Sequence, residues 1–146
     1  MPVLCDVNVL LALVADRHAL HGLAVRWADS LAAGEGVVCR VAQLGLLRLL
    51  NNPAVMGDEA LDTAGCWSLW QRLLEDERFR FTREEPAGLD VAFERFTTGR
   101  AFSPRLWTDA YLAAFAHAAQ LTLVTFDKGF RGLPGLTCNV LEPRFP

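Results

Sequence analysis

Three aspartates stand at positions where their carboxylates can act together. Asp6 follows the apolar run Val3 to Cys5, and Asp127 ends the apolar segment that begins at Leu121. Asp109 lies just before a nearly unbroken apolar stretch that is typical of a buried helix. Because ligands of open parallel α/β sheets bind beyond the carboxyl ends of the strands, we expect these acids to line one cleft.

Carboxylates gathered in one cleft indicate a divalent metal ion. Like charges raise one another's pKa values unless a cation joins them. Hard oxygen donors select Mg²⁺ or Mn²⁺, and Mg²⁺ typically takes one or two carboxylates, several waters and substrate phosphate. Such a site suits metal-assisted hydrolysis of a phosphodiester. Taken singly, each residue also fits an ordinary role: Asp6 in a turn, Asp109 as a helix-dipole partner and Asp127 in an Asp-Lys-Gly turn.

A fourth polar residue follows another strand candidate. Gln43 comes just after Val-Val-Cys-Arg, at the start of a predicted helix, and we expect it to face the same cleft. Its amide oxygen can accept a hydrogen bond or coordinate a cation, but it brings no negative charge.

Strand and helix patterns alternate along the chain. Short apolar runs predict strands over residues 3–5, 36–39, 78–82, 121–125 and 137–141. Longer periodic stretches predict helices over residues 7–15, 19–33, 40–50, 59–75, 89–96 and 103–120. Asp16 and Ser103 are the expected N-caps of the second and last of these helices. The alternation predicts a single domain over residues 1–146, built as a three-layer α/β/α sandwich with a mostly parallel sheet of about five strands.

Composition is typical of a globular protein with a substantial core. Of the 146 residues, 52% are apolar and 21% are charged. The net charge of −3 weighs mildly against nucleic-acid binding, although 13 of the 14 cations are arginines, which suit phosphate. Four cysteines lack metal-ligand spacing, so we expect reduced thiols and no zinc site. Without a membrane-length apolar run or the basic region of a signal peptide, the chain is expected to be cytoplasmic.

Three motifs resemble PIN domains in their order and spacing. They are Cys-Asp-Val-Asn-Val-Leu-Leu at 5–11, Thr-Asp-Ala-Tyr-Leu-Ala-Ala at 108–114 and Leu-Val-Thr-Phe-Asp-Lys-Gly-Phe at 123–130. The similarity is greatest to the VapC toxins, particularly a mycobacterial-type subgroup with Gln-Leu-Gly-x-x-Arg-Leu, seen here at 43–49. It covers residues 3–141.

The resemblance implies a Mg²⁺- or Mn²⁺-dependent endoribonuclease that is the toxin of a VapBC-type pair. RNA is then the substrate, a VapB-type antitoxin the partner and a homodimer the assembly. Asp6, Asp109 and Asp127 match the metal-binding acids of the family, and Asn8 and Thr125 match polar positions that support them.

Gln43 departs from the family pattern, because most PIN nucleases have a glutamate there. The number of ions held is therefore in doubt. We expect one ion ligated by Asp6 and Asp109, with Asp127 completing the acidic cluster and a second ion only when RNA is present.

Two other functions remain open. A receiver domain or a haloacid-dehalogenase-like phosphatase also has an aspartate after its first strand, but such a phosphatase needs Asp-x-Asp, and position 8 is asparagine. A receiver needs an acidic pair and a lysine on a separate strand, whereas Lys128 directly follows Asp127. The third possibility is a catalytically silent binding module on the same fold.

Overall fold

A sheet of five parallel strands forms the centre of the computed structural model, which describes residues 1–144. The strands are β1 (Val3–Cys5), β2 (Gly36–Cys39), β3 (Phe79–Thr82), β4 (Thr122–Thr125) and β5 (Cys138–Val140). Their order across the sheet is β3-β2-β1-β4-β5, and every neighbouring pair is parallel. The predicted fold class and strand number are confirmed.

Helices cover both faces of this sheet. The part of the chain that the structure describes contains α1 (Val7–Val14), α2 (His21–Ala28), α3 (Arg40–Leu50), α4 (Pro53–Met56), α5 (Thr63–Glu75), α6 (Leu89–Thr97) and α7 (Leu106–Ala118). The connections from β1 to β2 and from β2 to β3 contain α1 to α5, and the return from β3 to β4 contains α6 and α7. Because parallel crossovers are right-handed as a rule, opposite directions across the sheet put these two groups of helices on opposite faces. The result is the predicted α/β/α sandwich.

The chain reverses direction across the sheet between β1 and β4. From β1 it moves outward to β2 and β3, and it then returns to β4 on the other side of β1. The backbone N–H of Asp6 donates to the Val124 carbonyl at 3.0 Å, which ties the ends of the two central strands together. Such a reversal point is where open α/β sheets place their binding crevice.

The second helix is shorter than the sequence predicts. Residues 19–33 were expected to be helical with Asp16 as N-cap, but α2 begins at His21. The imidazole Nδ1 of His18 accepts the Leu20 N–H at 3.0 Å, so a histidine, and not the predicted aspartate, satisfies a donor before the helix. The helix also ends early, at Ala28, and the Ser30 hydroxyl then donates to the Trp27 carbonyl at 2.6 Å.

The predicted start of α7 at Ser103 is also wrong. The Leu106 N–H donates to the Ser103 carbonyl at 3.1 Å, which forms a separate turn before the helix. Arg105 is the N-cap, without a side-chain hydrogen bond to the helix. This turn brings Arg105 to the carboxyl edge of the sheet.

The core lies between the sheet and the two helical layers. The strands contribute fully buried side chains such as Leu4, Val38 and Leu123. Cys5, Cys39 and Cys66 are buried, Cys138 is partly buried, and all four are free, as predicted. Within residues 1–144, no helix is both long and apolar enough to cross a membrane.

Gly45 permits a close approach of α3 to α1. A Cβ at this position would lie 2.7 Å from Cγ2 of Val7, whose β-branched side chain is stiff. Gly45→Ala should therefore lower the free energy of unfolding by about 1–3 kcal/mol, because overpacking outweighs the gain in helix propensity. Urea denaturation measures this change.

Gly22 of α2 is the matched control for this substitution. A Cβ there meets only the end of the flexible Arg26 side chain, at 3.4 Å. Gly22→Ala should stabilise the protein by about 0.5–1 kcal/mol. Equal effects of the two substitutions would contradict the close contact at Gly45.

Candidate functional site

Asp6 is buried at the junction of β1 and α1. It is the N-cap of α1, and its Oδ1 accepts the Val7 N–H at 2.7 Å. Its Oδ2 accepts a hydrogen bond from the Thr125 hydroxyl, also at 2.7 Å, and the residue is only 5% exposed. Burial raises the pKa of Asp6, while the Thr125 and Val7 hydrogen bonds lower it and the Asp127 charge raises it again. The net result is a carboxylate that is held in place but costly to ionise.

Asp109 lies in the first turn of α7 and is partly buried. Burial raises the pKa of Asp109 to about 6, and the negative charges of Asp6 and Asp127 add to the rise. Arg105 and Arg100 lower it. The charges of Asp6 and Asp127 therefore disfavour the ionisation of Asp109, and a cation beside these acids would relieve the repulsion.

The Asp127 carboxylate accepts a hydrogen bond within its own turn. Its Oδ1 accepts the Gly129 N–H at 2.8 Å, and its Oδ2 lies 3.8 Å from Nη2 of Arg105. Its backbone N–H donates to the Thr125 hydroxyl at 3.0 Å. Thr125, which is fully buried, thus connects the Asp6 carboxylate to the Asp127 backbone.

The two remaining predicted residues have structural partners at the same edge. Asn8 Oδ1 accepts the Phe126 N–H at 3.4 Å, which links α1 to the end of β4. Gln43 is 3% exposed, and its Oε1 accepts a hydrogen bond from Nη1 of Arg40 at 2.6 Å. The amide oxygen that was expected to face a cation is therefore occupied by a guanidinium.

Three arginines at the carboxyl edge of the sheet were not predicted. Arg100 and Arg105 act on the Asp109 carboxylate from the segment before α7, and Arg40 binds Gln43. Arg40 directly follows a buried strand, as Asp6 does. Its position in the sequence could therefore have predicted that it lies at the carboxyl edge of the sheet. Nothing local in the sequence marks the other two, since their position depends on the turn before α7.

A cleft of about 100 Å³ opens between Asp109 and Asp127, with Arg100 in its lining. In residues 1–144, no three His, Cys, Asp or Glu side chains are arranged to hold a metal ion by themselves. The three aspartates therefore do not form a complete ligand set. Because Mg²⁺ typically takes only one or two carboxylates beside several waters, this absence does not conflict with Asp6 and Asp109 as candidate ligands. A larger groove of about 780 Å³ at the opposite edge has no carboxylate among its lining residues.

Comparison with known proteins shows the family of this chain. The PIN-domain family model matches residues 3–136. Ribonuclease VapC41 of Mycobacterium tuberculosis is 36% identical over 143 residues, which cover 94% of this chain and 97% of that protein. The chain belongs to the PIN-domain family, among the VapC ribonucleases. Ribonuclease VapC44 of the same organism is 31% identical and covers 94% of this chain and 95% of its own length.

Solved structures share this PIN fold at low sequence identity. VapBC2 from Rickettsia felis, crystallised with a DNA fragment from its promoter, superposes with a TM-score of 0.68 at 14% identity. The match covers 97% of this chain and all of that one. Mycobacterium tuberculosis VapC20, described as a toxin that cleaves the sarcin-ricin loop, superposes with a TM-score of 0.65 at 16% identity, covering 92% and 98% of the two chains.

The hydrogen bond from Thr125 to Asp6 should contribute to the stability of this PIN domain. Thr125→Val removes the hydrogen bond to Asp6, and bonds to charged groups contribute about 1.5–3 kcal/mol. It also removes the acceptor of the Asp127 N–H, a loss that does not depend on the charge of Asp6. The pKa of Asp6 should rise further, so the loss of stability should be larger at pH 7.5, where Asp6 is more ionised, than at pH 4.5. Thermal melting in EDTA at both pH values measures the difference.

Thr122→Val on the same strand is the control, because no hydrogen bond of the Thr122 side chain is present within residues 1–144. It should change stability little and equally at both pH values. A pH-independent loss in Thr125→Val would contradict the role of the Asp6 contact.

Proposed function

We propose that the chain is a metal-dependent endoribonuclease and the toxin of a VapBC-type toxin–antitoxin pair. Its relatives VapC41 and VapC44 are named ribonucleases and match it over nearly their whole length. The observation that carries the proposal is the pair of acids at the carboxyl edge of the sheet, the buried Asp6 and the partly buried Asp109, where the charge of Asp6 raises the pKa of Asp109. RNA is the proposed substrate.

Asp6 and Asp109 are the residues that would hold a Mg²⁺ or Mn²⁺ ion. When bound, such an ion polarises a phosphate and lowers the pKa of a water. Thr125 and the Val7 N–H fix the orientation of the Asp6 carboxylate. Asn8 accepts a hydrogen bond from the Phe126 N–H and so holds the segment after β4 that carries Asp127.

Arg100 and Arg105 provide positive charge beside the acids. Both lower the pKa of Asp109, which places their charges within its field. Guanidinium groups bind phosphate oxygens in two parallel hydrogen bonds. These arginines are therefore suited to draw the phosphodiester toward the carboxylates of a molecule whose net charge is −3.

A circular single-stranded RNA tests the proposed reaction. Without ends, it can be opened only by an endonuclease. We expect the purified chain to linearise it in Mg²⁺ or Mn²⁺ and not in EDTA. No cleavage in any metal would favour a silent PIN-fold module, and covalent trapping by beryllofluoride would favour an aspartyl phosphoryl-transfer protein.

We also propose an antitoxin partner. Several solved proteins of the same fold are toxin–antitoxin complexes, including VapBC-1 from nontypeable Haemophilus influenzae. A groove of about 310 Å³ between α1, α3 and α5 could dock a partner helix. Its apolar lining includes Val14, Leu50, Met56, Leu61 and Leu69, and its charged lining consists of Asp16, Arg17, Glu59 and Arg72. A basic side chain of the partner would silence the enzyme by pairing with the acids.

Inhibition by the partner is measured by titration. Addition of the product of the neighbouring gene, if it is an antitoxin, should reduce RNA cleavage to background at one partner per chain. Full cleavage at saturating partner would exclude this mode of inhibition. We further propose a homodimer, as the resemblance to VapC toxins implies, and light scattering of the isolated chain measures it.

A further inference from the structure

Two arginines rest on one phenylalanine at the end of the sheet beyond β2 and β3. The guanidinium carbon of Arg40 lies 4.7 Å from the ring centroid of Phe81, and that of Arg83 lies 5.0 Å from the same centroid. Arg40 is the first residue of α3, directly after β2, and Arg83 directly follows β3. Both therefore stand at the carboxyl edge, where the acids also lie.

The Phe81 ring is a fixed platform. It packs edge-on against the buried Trp70, with ring centroids 5.3 Å apart and an interplanar angle of 90°. Cation–π contact with such a ring restrains a guanidinium while leaving its N–H groups able to donate, and Arg40 uses one of them, on Nη1, to bind Gln43. The two arginines are thus preorganised.

The positive charge of this pair is not balanced locally. Among residues 1–144, no carboxylate lies within 4.0 Å of either guanidinium, and both side chains are exposed. The nearby Glu85 accepts a hydrogen bond from the Tyr111 hydroxyl at 2.6 Å instead. Two like charges held on one ring repel each other, and an anion between them relieves this repulsion.

The pair adjoins the proposed catalytic centre. Arg40 donates to Gln43, which is buried in the first turn of α3. β3 lies two strands from β1, a separation of about 10 Å. A nucleic-acid strand crossing the carboxyl edge would therefore reach the arginines with nucleotides next to the one held at Asp6.

We propose that Arg40 and Arg83, stacked on Phe81, bind a backbone phosphate of single-stranded RNA on the β3 side of the cleaved bond. This inference rests on the proposed ribonuclease function and adds a substrate subsite to it. We favour a backbone phosphate over a carboxylate peptide because the pair adjoins the proposed ribonuclease centre and planar guanidinium groups bind phosphate oxygens in two parallel hydrogen bonds.

Binding of single-stranded RNA in EDTA, where cleavage is not expected, tests the subsite. Fluorescence anisotropy is measured over a range of salt concentrations for the parent, Arg83→Gln, Phe81→Leu and Arg48→Gln. Arg48 is the matched control, because it is an exposed arginine in the last turn of α3 and its loss changes the net charge equally. Calorimetry with Mn²⁺ alone checks that the metal site is intact.

Arg83→Gln should weaken RNA binding about tenfold. It should also reduce the slope of log K against log salt by about 0.7, the value for one single-strand phosphate contact. Phe81→Leu keeps both charges and should still weaken binding, since the guanidiniums lose their platform. Arg48→Gln should match the parent in slope, and all variants should bind Mn²⁺ equally.

Three results would overturn the subsite. If Arg83→Gln and Phe81→Leu bind RNA like Arg48→Gln while the parent still cleaves, the subsite is wrong and the ribonuclease proposal stands. If Arg83→Gln loses affinity for the antitoxin and not for RNA, the pair is a protein contact. If the parent neither binds nor cleaves RNA, both proposals fail.

Discussion

Asp109→Asn is expected to lower RNA cleavage about a thousandfold while making the metal-free protein more stable at pH 7. A metal ion contributes several kcal/mol to the transition state, and each 1.36 kcal/mol is a factor of ten in rate. Loss of the carboxylate should remove most of this contribution. Cleavage rates and Mn²⁺ calorimetry on the folded variant measure the effect.

The expected gain in stability follows from the raised pKa of Asp109. An acid whose pKa is about 6 in the folded state and 3.8 in the unfolded state binds its proton more tightly when folded. The parent should therefore lose stability as the pH rises from 3.8 to about 6, and the variant should lose less. At pH 7 in EDTA, the variant should melt a few degrees higher.

Asp90→Asn is the control for this variant. Asp90 also lies in the first turn of a helix, α6, but it is exposed and outside the site. Its replacement should leave cleavage and Mn²⁺ binding unchanged. Wild-type cleavage and metal binding in Asp109→Asn would remove Asp109 from the site.

Gln43→Glu is expected to make the melting temperature depend more steeply on Mn²⁺. The added carboxylate should increase repulsion among the acids of the metal-free protein and strengthen metal binding by about one to a few kcal/mol. A ligand that binds only the folded state stabilises it by mass action. Melting curves across a Mn²⁺ titration measure the dependence.

Arg40 should reduce this effect, because it already donates to the side chain at position 43 at 2.6 Å. An ion pair between Arg40 and the new glutamate would neutralise part of the added charge. The double variant Arg40→Gln, Gln43→Glu should therefore respond more steeply than Gln43→Glu alone, with Arg40→Gln as control. Equal Mn²⁺ dependence in all four proteins would place Gln43 outside the metal site.

Sequence patterns predicted the parts of the fold that depend on local order. β1, β2 and α3 begin and end where the apolar runs and the Asn51-Asn52-Pro53 stop indicate. The same reasoning placed Asp6 and Asp127 after strands that turn out to be neighbours across β1 and β4. Parallel pairing brings together strand ends that are far apart in the chain, so strand-end residues were predictable as a group.

The errors concern contacts that depend on tertiary structure. The helix expected after Ser103 begins later because a turn precedes it, and this turn positions Arg105 beside Asp127. The hydrogen bond from Arg40 to Gln43 was not predicted, because it depends on specific side-chain rotamers. Periodicity indicates which face a residue occupies, but not which partner its polar atoms choose.

The most direct test of the account compares metal binding with cleavage in one preparation. Mn²⁺ binding is measured by calorimetry, and the rate at which single-stranded RNA is cut is measured over the same Mn²⁺ range at pH 7. The account predicts no cleavage in EDTA and a rate that rises as the calorimetric site fills, with both signals lost in Asp109→Asn. Equal cleavage in EDTA and in Mn²⁺ would contradict it.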